Sequence, residues 1–396
     1  RNGGTCEQVA AIEIAGGCWR VTERTLRILM PSIYFPPRVG GIESHVFYLA
    51  REMVKRGHSV EVVTTRTERT SPSRETMDGV DVKRVPSFGK HFVGWILSSV
   101  VSVPQVVKSA AGSDVIHCHT FAFALGGNAA NVLLGKPLAV TVHSSHFLRL
   151  ASNRIMRIPL RWVLRRAKVL LSTSREIDGV IQGLLPGAFS MPIVNGIDTE
   201  TFRPVKPSLP RREGEFVIVC PRRLVEKNGT EFLVRALAHL AGRVAVRVYM
   251  AGDGPLRSRL EGLAHELGVH DRIVFMGSVA NTAMPGVYSS ADLVVIPSLV
   301  EATSIAALEA MSCERVVAAS RVGGLPEIVD DRVGLLFPSG DPEAIADAIE
   351  QAAHAKDRQA MGREARIRVE ANWSIRRMAD IHEDLYRRLL GEGADA

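Results

Sequence analysis

At 396 residues the chain exceeds what a single hydrophobic core ordinarily serves, and two domains are expected. Its 46% hydrophobic and 23% charged residues exclude a disordered chain, and its longest apolar run, Trp95 to Val107, is interrupted by Ser98, Ser99, Ser102 and Pro104, too short and too polar for a bilayer span. Five cysteines without CxxC spacing argue against a disulfide frame or a zinc site, and the formal charge of +7 is concentrated in residues 1–200, where 24 Lys+Arg face 15 Asp+Glu, which points to an anionic partner there.

Residues 1–25 show no periodicity and no long apolar signal region, and are expected to be a disordered extension. Leu26 to Met30 reads as a strand, followed by the Pro/Gly-rich loop Pro36 to Gly41 and a helix from about Ile42 to Arg56, with Val46, Leu49, Ala50, Met53 and Val54 at helical spacing. Ser59 to Thr64 is the next strand. Strand, glycine turn and helix bring backbone close to a ligand, but no GxGxxG occurs, which weighs against a dinucleotide-dependent dehydrogenase. Further buried strands are expected at Val115–Cys118, Leu138–Val142, Val169–Ser172 and Pro192–Val194, the alternation of a doubly wound parallel sheet whose ligands sit beyond the strand C-termini. Polar groups collect at those ends: His117 and His119, His143 and His146, then Asn195-Gly196-Ile197-Asp198. His117 and His119 share one strand face and could ligate a metal, but nothing completes a site, and packing or a place on the cleft rim is the better reading. His143, directly after its strand, is the better candidate for chemistry. Arg154, Arg157, Arg161, Arg165 and Lys168 recur every three or four residues beside Trp162: a solvated face, or a basic stripe suited to anionic lipid, split by Pro159.

Residues 201–214, with Pro204, Pro207 and Pro210, read as a linker, and 215–375 as a second alternating series. Its first strand, Phe216 to Cys220, runs into Pro221-Arg222-Arg223-Leu224-Val225-Glu226-Lys227-Asn228-Gly229. Arg223 and Lys227, two cations four residues apart between a strand and a helix, suit a diphosphate. Val246 to Ala251 leads into Gly252-Asp253-Gly254-Pro255, the same theme again. The apolar run Leu293 to Ile296 stops at Pro297, and a helix opens behind Thr303 or Ser304 as N-cap, a start that favours an anion. Glu301 lies in that loop. Glu309 lies on the helix beside Ile305, flanked by Ala306 and Ala310, where small neighbours leave room for a ligand with hydroxyls. Helices are expected over Pro342–His354, Asp357–Glu370 and Ser374–Leu390.

The stretch from Glu301 to Glu309 resembles the Glu-x7-Glu signature of family-4 glycosyltransferases, retaining enzymes of the GT-B fold. Gly40 to His45, Arg223 to Gly229, Gly252 to Pro255 and Gly323 to Glu327 match further motifs of that family in the same order, so that the resemblance covers roughly residues 26 to 390. It departs at Thr303-Ser304, where many members have Phe-Gly, and at Arg222, where Gly is usual. The resemblance implies two Rossmann-like doubly wound domains facing a cleft: an acceptor-side domain over 26–200, and a donor domain over 215–375, with a C-terminal helix of about 376–396 crossing back. It implies His143 and Glu301 at the donor sugar, and Glu309 on the ribose. Arg223 and Lys227 would hold the donor diphosphate, aided by Gly41, Gly252, Thr303, Ser304 and Ile305; Gly40, His119 and Asn195 lie on the acceptor side.

The activity so implied is transfer of a sugar from a nucleotide diphosphate sugar to a hydroxyl acceptor of glycan, lipid-linked or inositol-phosphate type. No cofactor or metal is required if Arg223, Lys227 and helix N-termini neutralise the leaving group. No DxD motif stands at a strand end and no carboxylate pair declares itself as nucleophile and acid. A non-catalytic nucleotide-sugar-binding subunit would keep the same donor residues. A nucleic-acid partner finds no stacking-aromatic module. The expected location is cytoplasmic, peripheral at the inner face of a membrane.

Overall fold

The computed structural model describes residues 24–392, except 39, 69, 90, 91, 144, 194, 195, 241, 302 and 303. Most of the expected extension 1–25, and the end of the expected last helix (393–396), lie outside the described residues. Arg24, inside the expected extension, lies 3.6 Å from the Asp114 carboxylate and is paired with Glu392.

The first half runs β1 (Arg27–Pro31), α1 (Gly41–Lys55), β2 (Ser59–Arg66), β3 (Arg74–Met77), β4 (Val80–Pro86), α2 (Phe92–Ala110), β5 (Val115–His119), α3 (Ala124–Leu134), β6 (Leu138–Val142), α4 (Ser145–Ser152), α5 (Arg157–Leu164), β7 (Val169–Ser172), α6 (Arg175–Leu184) and β8 (Ser190–Pro192). The second runs β9 (Phe216–Cys220), α7 (Thr230–His239), β10 (Val246–Ala251), α8 (Arg257–Glu266), β11 (Ile273–Gly277), α9 (Met284–Ser290), β12 (Leu293–Ile296), α10 (Ile305–Ser312), β13 (Val317–Ser320), α11 (Leu325–Ile328), β14 (Gly334–Phe337), α12 (Pro342–His354), α13 (Arg358–Asn372) and α14 (Ile375–Leu389).

Two sheets result, ordered β3-β4-β2-β1-β5-β6-β7-β8 and β11-β10-β9-β12-β13-β14. Every pairing is parallel except β3 with β4. Parallel strands are covered by helices on both faces, which is why β5, β6, β9 and β12 are buried along their whole length. The strand order reverses beside β1 in the first sheet and beside β9 in the second, the points beyond whose strand C-termini this topology ordinarily binds ligands.

Three features go beyond the sequence reading. The residues after β2 form the β3–β4 hairpin, which the sequence reading does not anticipate. Its turn, Asp78-Gly79, has φ of 47° and 81° at the two residues, the backbone an Asp-Gly hairpin turn requires. The apolar run near Trp95 is α2, and by length and composition alone it could cross a bilayer. In the structure α2 packs on α3, and the Ser98, Ser99 and Ser102 hydroxyls of α2 donate back to carbonyls of their own helix at 2.7 Å. The stretch 201–214 is no free tether. Phe202 is buried in the second core, and the Val205 and Leu209 amides donate to the Ser289 and Ser290 hydroxyls.

The chain crosses between the sheets twice, side by side. Ile197 N–H donates to the Trp373 carbonyl (2.7 Å) and Ile375 N–H to the Ile197 carbonyl (2.9 Å). Ser374 then caps α14, which lays Met378, Ala379, Leu385 and Tyr386 into the core of the first sheet.

Candidate functional site

The crevice beside β9 is assembled from three loops bonded to one another through their backbones. Leu299 and Val300 N–H donate to the Lys227 carbonyl at 2.9 and 3.2 Å, and Leu224 N–H donates to the Asp253 carbonyl at 3.0 Å. Two glycines permit this approach. Gly229 holds φ 62°, and a Cβ there would lie 1.9 Å from the Pro297 carbonyl oxygen; one at Gly252 would lie 2.1 Å from that of Arg222. Sequence positions 222–229, 252–254 and 297–301 thereby become one cluster.

Arg223 and Lys227 are exposed on this cluster, and neither is ion-paired among the described residues. Exposed cations without a counter-ion suit an anionic ligand. The loop bonded to Lys227 leads to α10, capped by Ser304, whose hydroxyl accepts from Ala307 N–H at 3.3 Å. The start of α1 faces it: a Cβ on Gly41 would lie 3.6 Å from Ile305 Cδ1. Gly40 leaves room for the Glu43 carboxylate, which Arg38 pairs at 3.0 Å. Thr303 and Asn195 lie outside the described residues.

The two glutamates are not both open acceptors. Glu301 is engaged by the Arg222 guanidinium, which also reaches the Ser298 hydroxyl. Glu309 accepts from Tyr288 Oη–H at 2.8 Å, and burial pushes its carboxyl up to about 7. Sequence reasoning missed Arg222 and Tyr288 as partners, since no spacing rule joins residues 79 or 21 positions apart.

Across the crevice, His143 sits behind β6, 4% exposed, with Nε2 3.5 Å from Nδ1 of His119. Burial, and the neighbouring His382, push His143 down to about 3, so it is a neutral imidazole near pH 7. His119 is fully buried and backs His143 without facing the cleft. His117 is no metal candidate. Its Nδ1 bonds the Tyr386 hydroxyl (2.6 Å) and its Nε2 the Thr141 hydroxyl (2.7 Å), which pins α14 to the first sheet. The trio that approaches metal geometry is His45, His119 and His143, with ring nitrogens within 4.8 Å of one another. Tetrahedral zinc, with bonds of about 2.0–2.1 Å, needs ligand nitrogens about 3.3 Å apart, so the trio would have to contract. A depression of about 490 Å³ near Arg212, Glu215 and Arg247 lies at the N-terminal ends of β9, β10 and β11, where Arg247 is paired with Glu215, away from the strand C-termini.

Comparison with known proteins follows the same two halves. Residues 39–201 match the family model "Glycosyltransferase Family 4", and residues 202–368 match "Glycosyl transferases group 1". The chain is 31% identical over 391 residues to a D-inositol 3-phosphate glycosyltransferase of Saccharomonospora viridis, covering 89% of this chain and 90% of that one. It is 32% identical over 341 residues to a phosphatidylinositol N-acetylglucosaminyltransferase subunit of Arabidopsis thaliana, covering 83% and 74%. An Anabaena protein solved in complex with UDP-glucose superposes with a TM-score of 0.72 at 20% identity, covering 91% and 99%.

Proposed function

The chain belongs to the family-4, group 1 glycosyltransferases, enzymes of the GT-B fold, and from that premise we propose that it moves a sugar from a nucleotide diphosphate sugar on the second sheet to a hydroxyl acceptor on the first, retaining anomeric configuration. The observation that carries the donor site is the pair of exposed cations, Arg223 and Lys227, unpaired among the described residues, on the loop whose Lys227 carbonyl accepts from Leu299 and Val300 N–H. As the glycosidic bond breaks, negative charge grows on the leaving diphosphate, and these groups meet it without needing a metal. Retention by double displacement would need a free carboxylate at the anomeric carbon. Glu301 is held by Arg222 and Glu309 by Tyr288, which favours a front-face path in which the leaving phosphate helps deprotonate the acceptor. The named activities of the two relatives, with the basic first half, favour an inositol-phosphate acceptor.

A thermal-shift screen of UDP-, GDP- and ADP-sugars tests this directly. A cognate donor at 100 times its Kd stabilises by about 2.7 kcal/mol. No shift with any of them, and no transfer or hydrolysis, would refute the donor site. His143→Ala should lower kcat at least tenfold while donor affinity, read by calorimetry, stays within a few-fold. Full kcat in that variant would make His143 a packing residue.

The location that fits this reading is cytoplasmic, peripheral on an anionic membrane. The basic stripe expected from sequence is interrupted, because Arg161 Nε donates to the Leu184 carbonyl at 2.7 Å. What remains is Arg154, Arg165 and Lys168, exposed beside Ile158 (70% exposed) and Trp162 (49%). Helix α3, which packs on α5, adds exposed Leu133. Cations over an apolar face suit interfacial binding at about 1 kcal/mol per cation. Replacing Arg154, Arg165 and Lys168 by Gln should weaken co-sedimentation with phosphatidylserine vesicles on the order of a hundredfold; unchanged sedimentation would return the face to solvent.

A further inference from the structure

Arg222 is a cation of the donor loops that the reading above leaves without a task. Its side chain is only 10% exposed, one guanidinium nitrogen serves both Ser298 and Glu301, and its Nε is buried with no hydrogen-bond acceptor among the described residues. Burying an N–H without an acceptor works against stability, so the position is not explained by packing. Its backbone is equally fixed: the Arg222 carbonyl abuts Gly252, and the next residue, Arg223, is exposed at the anion site. One loop thus carries Arg222, Arg223 and Lys227, and it is bonded through the Lys227 carbonyl to the loop that carries Glu301, whose carboxylate Arg222 holds. Were Arg222 absent, Glu301 would present a bare negative charge among the groups that must receive a diphosphate.

Resting on the donor reading, we propose that Arg222 is a positioning residue that acts through Glu301. It clamps the carboxylate against Ser298 in the orientation the sugar meets, and it cancels that charge so that the diphosphate is not repelled. Two consequences separate this from direct binding of phosphate by Arg222. Removing the cation alone should harm diphosphate binding, and removing the carboxylate as well should restore it. The catalytic orientation, by contrast, should stay lost in both.

The experiment is calorimetry with UDP, GDP and ADP, and steady-state kinetics with the donor identified by the screen, on the wild type, Arg222→Gln, Arg222→Lys, Glu301→Gln and the Arg222→Gln/Glu301→Gln double variant. Arg222→Gln should weaken nucleoside diphosphate binding about tenfold at low salt and less at roughly 0.5 M salt, where charge repulsion is screened. The double variant should bind within about twofold of wild type yet keep a low kcat. Arg222→Lys should restore binding but not kcat, because an ammonium keeps the charge and loses the planar fork. If the double variant binds as weakly as Arg222→Gln, Arg222 contacts the diphosphate itself and the proposal is overturned. Wild-type affinity in Arg222→Gln would overturn it too. If the wild type binds none of the three diphosphates, the donor reading itself falls. The pairwise neutral variant also controls for folding, since Gln at both positions keeps hydrogen-bonding groups without a buried lone charge.

Discussion

Arg223→Ala lowers kcat/KM for the nucleotide sugar by ten- to a hundredfold, and Lys227→Ala does the same. Each contributes a charge-assisted hydrogen bond worth about 1.5–3 kcal/mol to a leaving group whose charge increases as the bond breaks. Interactions that strengthen toward the transition state raise kcat as well as affinity, so both parameters fall. The double variant loses less than the product of the two single losses, because both cations act on one diphosphate. Fold stability hardly changes, since neither side chain is ion-paired among the described residues and both are exposed. Near-normal kcat/KM in both variants, with unchanged calorimetric binding of the nucleoside diphosphate, would remove the donor from this loop.

Glu309→Gln separates function from stability in opposite directions. The Glu309 carboxyl is raised from 4.5 to about 7 by burial. Between those two values the folded protein binds a proton that the unfolded chain has released, so stability falls as pH rises through this window and stays lower above it. The difference corresponds to at most roughly 3 kcal/mol. Gln carries no charge and still accepts from Tyr288, so the variant should melt higher than wild type at pH 8 and at nearly the same temperature at pH 5. Donor affinity should fall ten- to a hundredfold, since an amide oxygen replaces a carboxylate that receives the ribose hydroxyls in our reading. Wild-type affinity for the nucleotide sugar should also weaken below pH 7 as the carboxyl protonates, and the variant should be flat. A variant that binds donor normally, or that melts lower at pH 8, would place Glu309 outside the donor site.

Much of the architecture was legible in the chain because parallel strands are buried on both faces and print nearly continuous apolar runs. Leu138–Val142, Val169–Ser172, Phe216–Cys220 and Leu293–Ile296 could be bounded to the residue for that reason. The β3–β4 hairpin escaped because β3 (Arg-Glu-Thr-Met) is half exposed and has no apolar alternation, although the Asp78-Gly79 turn was there to be read. The positions of Arg223 and Lys227, a strand end away from a helix start, likewise follow from local pattern alone, since the backbone between β9 and α7 sets them.

What the chain could not declare are partners that meet only after the sheets close. Glu301 and Glu309 look equivalent in sequence as two acceptors near a helix start. Tertiary structure makes them different, giving Glu301 to a guanidinium from the loop after β9 and Glu309 to the hydroxyl of Tyr288 on α9. The histidines divide in the same way. His117 and His119 alternate on one strand as if alike, yet His117 is bonded to Tyr386 of α14 while His119 stands behind His143. Spacing fixes which residues share an element and which face they share. Which charge is neutralised, and which imidazole is left to meet a ligand, is decided by contacts between residues tens to hundreds of positions apart, because burial and electrostatic pairing are properties of the packed molecule.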